Sequence, residues 1–112
     1  MKKKFERKTD YSLQKIIDIL DGKINNGYPR CFIINELGSI LISKNDENEI
    51  GEKKMLTLLE SKDDGERALA FCYLSCCDDL AAKHQNLMTS FQEDPKNERL
   101  KGFIAKSLES AI

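Results

Sequence analysis

The chain has 112 residues, of which 40% are hydrophobic and 33% are charged, and its formal net charge at pH 7 is −1. This length suits one domain with its own core, and the apolar content is too high for a disordered chain and too discontinuous for a transmembrane segment. We therefore expect one soluble globular domain with no membrane contact.

The charge is unevenly distributed. In residues 1–8, five basic residues against one acidic residue give +4, which leaves −5 for the rest of the chain. Terminal charge runs of this kind are usually solvated and frayed, so we predict a basic flexible tail over residues 1–8 and one domain over residues 9–112. A secretory signal would have an apolar segment directly after the charged residues, and this sequence has none there. Its absence favours a cytoplasmic location.

Every element predicted after residue 10 is a helix, because apolar residues recur at helical spacing. The first helix is predicted to begin after Thr9 or Asp10 and to end at Gly22. Pro29 suits the first turn of the second helix. These two helices form a predicted hairpin over residues 10–42.

A second hairpin is predicted over residues 48–77. Its first helix covers roughly residues 49–60, and Asp63 is the predicted N-cap of its second helix. Glu66, three residues later, would complete a capping box with Asp63. This second helix is expected to continue to about residue 77.

The third predicted hairpin covers residues 79–112. One helix is expected over residues 79–92, and Asp94 followed by Pro95 is typical of an N-cap with proline at the first helical position. The last helix would then continue to the end of the sequence.

Residues 55–76 match residues 87–108 at an offset of 32 positions, which is within the range of solenoid repeats. A fainter third copy places Arg30 on Arg67. The identical pairs of the two better copies are Thr57 and Thr89, Glu66 and Glu98, Arg67 and Arg99, Phe71 and Phe103, and Ser75 and Ser107.

Both copies contain apolar residues, an acidic turn, an arginine and then a small residue. In this sequence these are Leu58-Leu59, Asp63-Asp64, Arg67 and Ala70, and then Phe91, Asp94-Pro95, Arg99 and Gly102. The pattern resembles the HEAT repeat, which implies a right-handed α-α superhelix of about three stacked helical hairpins. Two positions depart from the HEAT pattern. Glu66 and Glu98 stand where HEAT repeats usually have an apolar residue, and Lys106 stands where they usually have leucine. These departures leave an armadillo-like repeat as an alternative.

A middle repeat must bury two sides of its second helix, whereas an end repeat buries one. The fourth predicted helix has two apolar stripes and leaves mainly Asp64, Ala68 and Ser75 for solvent. We predict Phe71 and Phe103, at equivalent repeat positions, to be core residues.

Basic residues at repeated positions suggest an interaction ridge of Arg30, Arg67, Arg99, Lys101 and Lys106. The HEAT resemblance implies a structural role for the arginines, which would pair with acidic residues of their own or the adjacent repeat. Those acids would be Asp63, Asp64, Glu93 or Asp94. The alternative is a ridge that follows the phosphates of a nucleic acid.

The cysteines are Cys31, Cys72, Cys76 and Cys77, and we predict free thiols because they lie in apolar helical stretches. The best candidate metal cluster consists of Cys72, Cys76 and Cys77 together with His84. It lacks the usual CxxC spacing of structural zinc sites, so no cofactor is predicted.

The sequence contains no phosphate loop, dinucleotide fingerprint or zinc-protease motif, and no obvious nucleophile and base pair. We therefore expect a non-enzymatic module that binds another protein or acts as a scaffold, as a monomer or weak homodimer. The alternative is a nucleic-acid-binding protein that uses the basic tail and the arginine ladder.

Overall fold

The computed structural model describes residues 7–111 and the side chains of residues 7–106. Every regular element in this part of the chain is helical, which confirms the all-α class. The seven α-helices are α1 (Leu13–Leu20), α2 (Arg30–Ile42), α3 (Ile50–Leu58), α4 (Asp64–Cys76), α5 (Asp78–Lys83), α6 (Gln85–Glu93) and α7 (Lys101–Ala111). Short 3₁₀ segments cover Glu47–Glu49 and Pro95–Leu100. Within the described range, no helix has the length and apolarity needed to cross a membrane.

Two of the predicted helix caps are confirmed. Asp63 accepts a hydrogen bond of 3.0 Å from the backbone N–H of Glu66, and Asp94 accepts one of 3.0 Å from that of Lys96. The capping box is not reciprocal, because the N–H of Asp63 donates to the Ser61 hydroxyl instead. These caps supply acceptors for backbone donors that a helix start leaves unpaired.

The first helix begins later than predicted. Ser12, rather than Thr9 or Asp10, is its N-cap and accepts from the N–H of Lys15. At the end of the predicted tail, Arg7 and Lys8 are hydrogen-bonded to Glu36 of α2. Residues 1–6 lie outside the described part of the chain.

The predicted helix over residues 79–92 is wrong, because the structure has two helices there. The backbone at His84 leaves the helical region, with φ −112° and ψ 28°. Its ring Nε2 lies 2.7 Å from the Glu52 carboxylate of α3, so a tertiary contact accompanies the break. The last element also begins differently, with a 3₁₀ segment before α7.

Helix α4 lies at the centre of the packing. Its most extensive contacts are with α2 and α7, and it also packs on α3 and α5. At the α2 contact, a Cβ added to Gly38 would overlap the ring of Tyr73. The absence of a side chain at Gly38 therefore lets the two helices approach closely.

The two equivalent phenylalanines differ in burial. Phe71 of α4 is 3% exposed, as predicted, and its ring stacks on Phe91 with centroids 4.8 Å apart. Phe103 of α7 is 50% exposed, so its assignment to the core is wrong. Ala68, expected to face solvent, is buried. Both differences follow from packing, because α4 is covered by several helices whereas α7 packs chiefly on α4 and the segment before it.

Candidate interaction surface

Arg30, the first residue of the predicted ridge, connects α2 to two other elements. Its Nε donates to Glu66 Oε2 at 2.7 Å, and its Nη1 donates to the Leu20 carbonyl at the end of α1 at 3.0 Å. The guanidinium thus links α2 to α4 and also satisfies a carbonyl that the end of a helix leaves unpaired.

Arg67 has a similar but buried arrangement. The residue is 4% exposed. Its Nη1 donates to the Ser61 carbonyl at 2.9 Å, its Nε to Asn97 Oδ1 at 2.9 Å, and its Nη2 to the Asp64 carboxylate. Because all of these contacts are internal, Arg67 joins the α3–α4 turn to the segment before α7 and is not accessible to a partner.

The other ridge residues are exposed, and two of them are paired. Arg99 Nε donates to Asp64 Oδ2 at 2.6 Å, and Lys101 Nζ lies 3.1 Å from Glu98 Oε1. Hydrogen bonds from Arg99 and Arg67 hold the pKa of Asp64 below its usual range. Lys106 is exposed on α7. Within the predicted ridge, Arg67 is therefore buried, and Arg30, Arg99 and Lys101 have acidic partners.

The pairing of arginines with acids is confirmed at Asp64, which binds both Arg67 and Arg99. Arg30 instead pairs with Glu66, which is not among the four acids predicted as arginine partners. The sequence could not distinguish these acids, because both lie in the first turn of α4 and the choice depends on how α2 and α7 approach it.

The candidate metal residues are not assembled into a site. Among the side chains that the structure describes, no group of three or more His, Cys, Asp or Glu is placed to hold a metal ion. His84 is directed to Glu52. Burial raises the pKa of Cys77 to about 11, so its thiol stays protonated near neutral pH and is a poor nucleophile.

A cleft of about 460 Å³ lies between the α2–α3 loop and the start of α5. Two of its acids have structural partners. Asp46 accepts from the N–H groups of Gly51 and Glu52 at the start of α3. Glu52 lies 2.8 Å from Lys83 Nζ and is also bound to His84. The contacts account for these carboxylates without a ligand.

Exposed apolar side chains indicate a candidate interaction surface other than the basic ridge and the cleft. In the described part of the chain, the large apolar residues with substantial exposure are Ile24, Tyr28, Leu87 and Phe103. Tyr28 stacks on Phe32 with ring centroids 4.5 Å apart. Leu87 and Phe103 belong to α6 and α7, at the other end of the chain from Ile24 and Tyr28.

A groove of about 480 Å³ lies between α6 and α7. Its apolar lining includes Phe91 of α6 and Ile104 and Ala105 of α7, and Lys101 and Glu93 contribute polar groups. Phe103 precedes Ile104 on the same helix. Helix α7 therefore borders an apolar groove and also carries a half-exposed aromatic ring that is not part of the groove lining. Sequence reasoning missed the exposed ring because it placed Phe103 in the core.

Comparison of the chain with models of known protein families, with curated proteins and with solved structures gives no match. The described residues form a small all-helical protein with exposed apolar side chains on α6 and α7.

Proposed function

We propose that this protein is a non-enzymatic interaction or scaffold module that binds another protein through the end of the fold formed by α6 and α7. The observations that support this proposal are the half-exposed ring of Phe103 on α7 and, separately, the apolar groove between α6 and α7. Aromatic side chains that fill or flank apolar pockets commonly provide much of the binding energy of protein interfaces. Lys101 and Glu93 would contribute to the polar rim.

We further propose that the helices form three stacked hairpins of the HEAT type, namely α1–α2, α3–α4 and α6–α7. The contacts of α4 with both α2 and α7 support this arrangement. So does the shared role of Arg30 and Arg67, which each donate to a carbonyl near the end of the preceding helix and to a residue farther along the chain. In such a stack α7 is a terminal helix, and a terminal helix has one side without a neighbouring repeat.

The nucleic-acid alternative has weaker support. A phosphate-binding surface needs accessible cations, but Arg67 is buried, and Arg30 and Arg99 are engaged by Glu66 and Asp64. The carboxylates next to the guanidinium groups would also repel phosphate.

Affinity capture from a lysate of the source cell would test the proposal. The bait proteins are the wild type, Phe103→Ser and Tyr28→Ser, each used with and without nuclease at about 50 and 200 mM salt. Tyr28 is a matched control, because its ring is 48% exposed but lies at the other end of the chain. Circular dichroism would show that each bait is folded.

We expect the wild type and Tyr28→Ser to retain the same protein under all four conditions, and Phe103→Ser to lose it. Equal retention by Phe103→Ser would contradict the proposed surface. Loss of all partners from the wild type after nuclease or at the higher salt would support the nucleic-acid alternative instead, because phosphate contacts weaken steeply with salt.

A further inference from the structure

The loop between α1 and α2 contains the only Asn-Gly pair of the sequence, Asn26 followed by Gly27. Both residues lie outside the helices, and Gly27 is exposed with a positive φ of 80°. Apart from its chain neighbours, no described atom lies within 4 Å of the point where a Cβ of Gly27 would be. The main-chain nitrogen of Gly27 is therefore open to approach, because no side chain shields it.

The side chains of two asparagines fold back onto this loop. Asn26 Oδ1 accepts a hydrogen bond of 3.3 Å from the N–H of Tyr28, two residues ahead, as in an Asx turn. The Asn26 carboxamide therefore folds over the intervening peptide unit, which contains the Gly27 nitrogen. The N–H of Gly27 itself donates to Asn25 Oδ1 at 3.3 Å. These two hydrogen bonds polarise the Asn26 carbonyl and the Gly27 amide, which are the two groups that would react with each other.

The amide nitrogen of the same carboxamide is not held. Asn26 Nδ2 is buried and has no hydrogen-bond partner among the described residues. A buried donor without an acceptor is unfavourable, and the departure of this nitrogen breaks no hydrogen bond. The loop thus holds the carbonyl oxygen of Asn26 and leaves its amino group without a restraint.

We propose that Asn26 is a site of spontaneous deamidation. The Gly27 nitrogen forms a bond to Asn26 Cγ and loses its proton to hydroxide or water, while the N–H of Tyr28 stabilises the negative charge that develops on Oδ1. The Cγ–Nδ2 bond then breaks, and the amino group takes up a proton from water and leaves as ammonia. Water opens the resulting five-membered imide at either carbonyl, which gives aspartate or isoaspartate without any oxidation or reduction.

The modification adds one negative charge to the α1–α2 loop, and it does not depend on the proposed surface of α6 and α7. The test incubates the full chain at about 37 °C and about pH 8 and follows each asparagine by peptide mapping with mass spectrometry. We expect Asn26 to deamidate at least about tenfold faster than any other asparagine of the chain, with isoaspartate among the products. The rate should rise about tenfold per pH unit, because the attacking nitrogen must lose its proton.

Two controls separate the loop from the sequence pair. Gly27→Ala places a Cβ beside the attacking nitrogen and should slow the reaction at Asn26 at least about tenfold. The wild type unfolded in concentrated urea keeps the Asn-Gly pair without the hydrogen bonds of the loop, so we expect the folded protein to react at least as fast. Deamidation of Asn26 in urea but not in the folded protein, or equal rates at Asn26 and another asparagine, would overturn the proposal.

Discussion

Helices α4 and α7 have similar sequences at an offset of 32 residues but occupy different environments. Phe71 and Arg67 of α4 are buried, whereas their equivalents Phe103 and Arg99 are exposed. Neighbours explain the difference, because α4 packs on α2, α3, α5 and α7, whereas α7 packs chiefly on α4 and the segment before it. The same local pattern thus gives a core element in one place and an accessible surface in the other.

The largest expected difference concerns the two phenylalanines. Phe71→Ala removes a buried ring that stacks on Phe91, so we expect it to lower the free energy of unfolding by about 3–5 kcal/mol. Phe103→Ala should lower it by less than about 1 kcal/mol, because the ring is already half in water. Urea unfolding of both variants would check this, and equal losses would contradict the contrast between α4 and α7.

The two arginines give the next comparison. Arg67→Ala leaves the buried Asn97 and the Ser61 carbonyl without their donor, which should cost about 3 kcal/mol. Arg99→Ala removes only an exposed, solvent-screened ion pair to Asp64, so it should change the stability far less than Arg67→Ala does. The midpoints of urea unfolding would report both values. A larger effect at Arg99 than at Arg67 would mean that the arginines have been assigned the wrong roles.

Glycine substitutions are a smaller test of the same contrast. Gly38→Ala inserts a methyl group against the Tyr73 ring and should destabilise by about 1–3 kcal/mol. Gly102→Ala meets nothing within 4 Å, and it should stabilise by up to about 1 kcal/mol because alanine favours the helix. Thermal unfolding would show shifts of opposite sign. Shifts of the same sign would argue against either the close α2–α4 contact or the open side of α7.

The smallest expected effect depends on pH. Burial raises the pKa of Glu36, but hydrogen bonds from Thr9, Lys8 and Arg7 outweigh it and hold that pKa below its ordinary value of 4.5. The carboxylate therefore stabilises the fold above pH 4.5, and this contribution is lost as the pH falls through the lower, folded pKa. Glu36→Gln should flatten the fall in stability below about pH 4.5, measured by urea unfolding at each pH. An unchanged pH profile would show that the carboxylate does not contribute as described.

Local chemistry made several features predictable from the sequence. Asp63 and Asp94 could be identified as caps because a cap depends on residues two or three positions away. The break at His84 could not, because it coincides with a contact to Glu52 on another helix. The burial of Glu36 was also missed, since its donors are far away in the sequence. The exposure of Phe103 depends on which neighbours cover α7, and local spacing does not reveal this.

Site-specific photo-crosslinking tests most directly whether α7 presents Phe103 to a partner, as we propose. The crosslinking residue p-benzoylphenylalanine would replace Phe103 in one protein and Tyr28 in another, with each irradiated in the source cell and analysed by mass spectrometry. We expect position 103 to give one dominant crosslinked protein that position 28 does not give. No crosslink at position 103, or the same products from both positions, would contradict the claim.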